Sequence, residues 1–190
     1  MQTDYAVELG RDDETLEMPW AAPDGCVRYY DLKHEPQMLG RIEEAVRFEE
    51  LREFLRAVKA RTSILESAKC DAWSTNEIHP EEEIFGKPWK FASYVDLLFT
   101  NPASRFSFAE HESLLEDLIT LLQKTPETPA SAEFLLRRCY YHQEDGLHEG
   151  FYITFYLFGY GEQEPEARQQ WAKALAQVSN ALARLSSGFG

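Results

Sequence analysis

The sequence predicts an α+β fold in which an antiparallel sheet carries helices on one face, and three stretches predict it. The first is EFLLRRCYYHQEDGLHEGFYITFYLFGYG, Glu133 to Gly161, where two runs rich in aromatic and β-branched residues flank a polar segment with two glycines. That is the pattern of a β-hairpin. Successive strand side chains point to opposite faces. Phe151, Ile153, Phe155 and Leu157 therefore share one face, and Tyr152, Thr154, Tyr156, Phe158 and Tyr160 the other. The second stretch is a helix that Ser107 and Glu110 open as a capping box. Leu114, Leu115, Leu118, Ile119, Leu121 and Leu122 give it a wide apolar stripe, and TPETP closes it. The third is a last helix opened by Pro165, with Trp171, Ala174, Leu175, Val178, Leu182 and Leu185 along one face.

The remaining elements follow in order. Tyr5–Leu9 and Thr15–Trp20 are short extended runs around the polar turn GRDDE, which reads as a peripheral hairpin within residues 1–24. After the turn signal AAPDG, Cys26–Leu32 reads as a strand. Pro36 suits a first helical turn, where its missing N–H costs nothing. From Gln37 to about Arg61 apolar residues recur at helical spacing, with an irregular step near Phe48 that allows a kink or two helices. Lys69–Ile78 is a strand with Cys70, Ala72 and Ser74 on one side and Asp71, Trp73, Thr75 and Glu77 on the other. The polar loop HPEEEIFGKP joins it to Trp89–Thr100, where Phe91, Val95, Leu97 and Phe99 face one way and Lys90, Tyr94 and Asp96 the other. Residues 187–190 form a frayed tail.

From Cys26 onward this order is βαββαβ plus a further strand and helix, which matches a ferredoxin-like core for residues 25–186 within a single domain of 1–190. The extra strand, Phe151–Tyr160, would extend the sheet edge by pairing with Phe134–His142. The alternative grouping is three ββα units, with the N-terminal hairpin as the first pair. No self-similarity links those units, so the first grouping is preferred.

A chain of 190 residues that is 44% hydrophobic and 13% aromatic can bury a substantial core. No stretch reaches the roughly 18 to 20 apolar residues that span a bilayer, and the N-terminus has no signal-peptide pattern. A cytoplasmic protein without membrane association is expected. The net charge of −14 repels phosphate backbones, so no nucleic-acid partner is expected. Cys26, Cys70 and Cys139 lie far apart in strand-like runs and read as buried free thiols.

With helices on one face, the opposite face collects Arg28, Tyr30, Asp71, Trp73, Thr75, Glu77, Tyr94, Asp96, Tyr152, Thr154 and Tyr156. One guanidinium of the Arg137, Arg138 pair should join them. So much aromatic surface on an open sheet implies a partner, a ligand or another piece of the chain. His142 and His148 with Glu144, Asp145 and Glu149 could ligate a metal, but no HExxH pattern accompanies them and a solvated turn explains the same residues. His79 beside Glu81, Glu82 and Glu83 reads as a loop. No GxSxG elbow, GxGxxG or GxxxxGK[ST] loop occurs. Hence no metal or cofactor is expected, and the leading reading is a non-catalytic binding module that forms a homodimer through Arg28, Tyr30, Trp73, Tyr94, Asp96, Tyr152, Thr154 and Tyr156. The alternative is a small enzyme or ligand-binding protein with a pocket between that face and a covering piece of chain such as the N-terminal hairpin with Trp20, using Asp71, Asp96, Tyr94 and an Arg.

Overall fold

The alternation in the aromatic hairpin becomes the longest pairing in the molecule. In the computed structural model, which describes residues 1–21, 25–26, 29–77 and 85–188, β5 (Ala130–Gln143) and β6 (Gly146–Gly161) run antiparallel. Their register extends from Ala130↔Gly159 to Gln143↔Gly146, so Glu144 and Asp145 alone make the turn. Gly146, at φ 134°, takes a backbone conformation closed to side chains, and the pairing resumes at once through a segment expected to be loop. β4 (Trp89–Phe99) pairs with the other side of β6, and β3 (Leu65–Thr75) pairs with β4, both antiparallel.

The N-terminal hairpin does not form. β1 (Gln2–Glu8) and β2 (Thr15–Met18) each pair with β5 in parallel, Gln2↔Ser131 through Glu8↔Arg137 and then Thr15↔Arg138 through Met18↔Tyr141. Two short strands thus tile one long edge, and the polar residues between them jog out of line. The six-stranded sheet runs β1-β5-β6-β4-β3, with β2 also on β5. β6 therefore lies inside the sheet instead of extending its edge, and the order is mixed where a ferredoxin-like arrangement was expected.

The strand expected over Cys26–Leu32 is also absent among its described residues. Residues 32–34 form a turn in which the Asp31 carboxylate accepts the N–H groups of Lys33 and His34, each at 3.1 Å. A local Asp acceptor of this kind competes with a sheet ladder, while Leu32 still reaches the core. The regular elements then read ββα three times, the order of the alternative grouping, although the first pair is no hairpin.

The expected long helix divides into a 3-10 turn (Pro36–Arg41), α1 (Glu43–Arg47) and α2 (Glu49–Val58). Phe48 sits at the break in extended geometry, φ −123° and ψ 105°, and its ring packs edge-on against Phe91 and Trp171. Ser107 caps α3 (Phe108–Leu122) by accepting the Glu110 N–H at 3.3 Å. α4 (Glu164–Gly188) lies so close to β6 that a Cβ on Gly159 would stand 2.2 Å from the Trp171 nitrogen. Apolar faces of α2, α3 and α4 cover Phe91, Val95, Leu97, Phe134, Ile153 and Phe155. That places helices on one face of the sheet. No helix among the described residues is long and apolar enough to cross a membrane.

Candidate functional site

The sheet register builds the opposite face in rows. Glu8, Arg137 and Tyr152 form one row, and Ala6, Leu135, Thr154 and Asp96 the next. Then come Asp4, Glu133, Tyr156, Tyr94 and Asp71, followed by Gln2, Ser131, Phe158, Ala92 and Trp73. These rows divide sharply by burial. From β5 to β4 the first two are closed, with Tyr152 and Thr154 each 1% exposed and Asp96 2% exposed, while Ala6 on the edge strand stays exposed. In the other two, Tyr94, Tyr156 and Phe158 are half-buried and Trp73 is exposed.

The closed half is sealed by the segment entering and leaving β2. Leu16 and Met18 pack with Leu98, Cys139, Tyr141 and Tyr152, and Trp20 and Tyr29 lie against this second cluster. The Tyr29 N–H donates to the Trp20 carbonyl at 3.3 Å, which holds the returning chain on the face. The interface expected over Tyr152, Thr154 and Asp96 is thereby corrected, because the chain itself covers them. Their period was right, but an alternation of two says which face a residue is on and not what lies above it. Tyr30 packs against the helix-side core beyond the sheet, and Arg28 lies outside the described residues, as do His79 and Glu81 to Glu83.

Within the closed half a chain of polar groups crosses β5, β6 and β4. Arg137 Nε donates to Glu8 Oε2 at 2.7 Å, and Nη1 donates to Glu14 Oε2 at 3.0 Å and to Thr154 Oγ1 at 3.2 Å. The Thr154 hydroxyl in turn donates to Asp96 Oδ1 at 2.8 Å. Burial pushes the Asp96 carboxyl up to about 6, with the Thr154 hydrogen bond and the Lys69 charge opposing it. Burial also raises the Tyr94 phenol, aided by the nearby Asp96 and Asp71 charges, so it stays protonated. Of the four groups expected to act together, Asp96 and an arginine are thus joined through Thr154, and Tyr94 is the next residue along that face of β4. Asp71 is apart from them: it is exposed on edge strand β3, where its carboxylate accepts the Ala72 N–H at 2.7 Å. Glu8 and Glu14 were missed because their role depends on β1 and β2 lying beside β5, which no local pattern signals.

The open half is aromatic and continuous. Tyr94 and Tyr156 have ring centroids 5.9 Å apart, Tyr156 and Phe158 are 6.2 Å apart and nearly parallel, and the Lys90 ammonium lies 5.2 Å over Phe158. Phe158 could have been added to the candidate residues from its parity with Tyr156. At the hairpin tip the two histidines are separate, His142 at 3.1 Å from Glu17 and His148 at 2.8 Å from Asp145. Among the described residues no group of three or more His, Cys, Asp or Glu side chains is placed to hold a metal ion. Compared with models of known families, with curated proteins and with solved structures, the chain matches none.

Proposed function

We propose that the protein is a non-catalytic binding module, and that a second copy of the same chain docks on the open rows of its sheet. The observation that carries this reading is the partly exposed run of Tyr94, Tyr156, Phe158 and Trp73, beside which the carboxylate best suited to acid and base chemistry is closed off. A general acid must come within hydrogen-bond reach of its substrate, and Asp96 is 2% exposed, with Oδ1 accepting from the Thr154 hydroxyl. Tyr, Trp and Phe are enriched at interface cores, and a twofold pair is the commonest soluble assembly. Association through strand edges is blunted at both ends of one row. Asp4 turns its carboxylate onto the Tyr5 N–H of β1 at 2.8 Å, as Asp71 does on β3. A cytoplasmic setting belongs to the same proposal, with Cys70 and Cys139 as free thiols that burial pushes up to about 12.

Sedimentation equilibrium tests the docking. Wild type should sediment as two chains at micromolar concentration, and Tyr156→Asp should shift the mass toward one chain while the circular dichroism spectrum is kept. Because each copy carries −14, added salt should tighten the pair. A wild-type protein that stays monomeric throughout would sink the dimer.

A further inference from the structure

A second site lies at the β3 edge, where it meets the docking rows at Tyr94. Between Ser67↔Leu97 and Cys70↔Val95 the register slips, so Ala68 and Lys69 together stand opposite Asp96 alone. A concavity of 290 Å³ lies between this bulged stretch of the edge strand and the 3-10 turn and α1. Bulges recur beside binding sites because they re-aim side chains. Here the re-aimed side chain is Lys69, whose ammonium lies 5.0 Å over the Trp20 ring.

The lining has flat apolar walls and charges of both signs. Trp20, Tyr30 and Tyr94 supply the aromatic surface, Lys69 and Arg41 the positive charge, and Glu43 and Glu44 the negative charge. Arg41, Glu43, Glu44 and Lys69 take part in no ion pair among the described residues, whereas the next helix turns pair Arg52 with Glu49 and Arg56 with Glu53. Burial, and after it the Glu44 carboxylate, push the Cys70 thiol up, which puts that carboxylate beside the strand on the α1 side of the concavity. Positive and negative groups thus face one small space without neutralising each other.

We propose that this concavity binds a small zwitterion, a free α-amino acid or a molecule of that size carrying one ammonium and one carboxylate. Lys69 and Arg41 meet the carboxylate, Glu43 and Glu44 meet the ammonium, and the apolar body lies against Trp20 and Tyr94. The size fits, since 290 Å³ is at the lower end of ligand cavities, roughly 300 to 1,000 Å³, and is too small for a dinucleotide. The charge also fits. A molecule of −14 repels a purely anionic ligand, but a zwitterion has no net charge to repel.

The test is calorimetric titration of the intact chain with each free L-amino acid in turn, set against phenethylamine and phenylpropionate as single-charge controls. At least one amino acid should bind, and the controls should not. Glu44→Gln and Lys69→Met should each weaken that binding by roughly tenfold, about what losing a hydrogen bond to a charged group costs. Glu44 lies on a five-residue helix whose buried residue is Ala45, so its variant should melt as wild type does and its affinity can be read. Arg41→Gln, also outside the core, repeats the test for the carboxylate end. The proposal is overturned if no amino acid binds, if a single-charge control binds as well, or if all three variants bind as wild type does.

Discussion

The two halves of the sheet face opposite the helices are made by the same strands with the same alternation, yet one is interior and the other is surface. In β6, Tyr152 and Thr154 are each 1% exposed, whereas Tyr156 and Phe158, next in phase, are half-buried. What separates them is the reach of residues 14–20. Leu16 and Met18 come down on Cys139 and Tyr141, and the Arg137 guanidinium, held by Glu8 and Glu14, closes over Thr154. One row further on the Arg137 guanidinium lies 6.0 Å over Tyr156 and the Lys90 ammonium 5.2 Å over Phe158, and the rings stay half-buried. Amphipathic residues such as Tyr serve in either setting, so burial on this face is decided by a segment more than a hundred positions away in the chain.

The comparison is anchored by the helix side, where the largest effect is expected. Gly159→Ala puts a methyl group 2.2 Å from the Trp171 backbone nitrogen and 2.4 Å from the Ala167 carbonyl, so α4 must lift off β6. Neither contact is a flexible side chain, and the cost should exceed the roughly 1 to 3 kcal/mol typical of overpacking. A variant that melts within a degree of wild type would show that α4 is not seated there. Next in size is the contrast between Tyr152→Asp and Tyr156→Asp. The first places a carboxylate among Leu16, Met18 and Leu98 and should unfold the chain or leave it insoluble; the second should leave the melting midpoint nearly unchanged. Equal damage from both would erase the distinction between the halves.

The smallest effect concerns pH and the closed half alone. Asp96 has a folded value of about 6 against an ordinary 3.8, so the native state holds the proton more tightly than the unfolded chain does. The sign follows: this group costs stability above about pH 6 and returns it progressively as the pH falls toward 4. Asp96→Asn keeps an oxygen for the Thr154 hydroxyl and removes the buried charge. It should therefore melt higher than wild type above pH 6, by an amount corresponding to at most roughly 3 kcal/mol, with the advantage fading by pH 4. An advantage that grows in acid would mean that Asp96 is held ionised by Arg137 and Lys69. His111 works in the opposite direction. It is fully buried, its Nδ1 is 2.8 Å from the Ser107 carbonyl, and burial lowers its value, so its contribution is lost as the pH falls through the ordinary histidine range.

The sequence by itself determined the elements whose signal is local. The Ser107 cap, the leucine stripe of α3 and the period of two through Phe151–Tyr160 each fix dihedral angles or a buried face within a few residues and appear in the structure. The Ser107 N–H, however, donates to the Ser104 carbonyl and not to Glu110 as a full capping box would have it. The same is true of the break at Phe48, where helical spacing fails. Cys26–Leu32 had the composition of a strand, but Asp31 supplied a nearer acceptor for the backbone at 33 and 34. Only the tertiary structure decided that β1 and β2 run parallel to β5, that β6 lies inside the sheet, and that half of its outer face is covered. Pairing partners across more than a hundred residues leave no imprint on the spacing within either strand, because each backbone offers the same N–H and C=O groups to any neighbour. Trp73, Tyr94, Asp96, Tyr152, Thr154 and Tyr156 were legible as a face for that reason, whereas Tyr30 packs against the helix-side core. Which of them meet a ligand or a partner depends on what the rest of the chain lays over them.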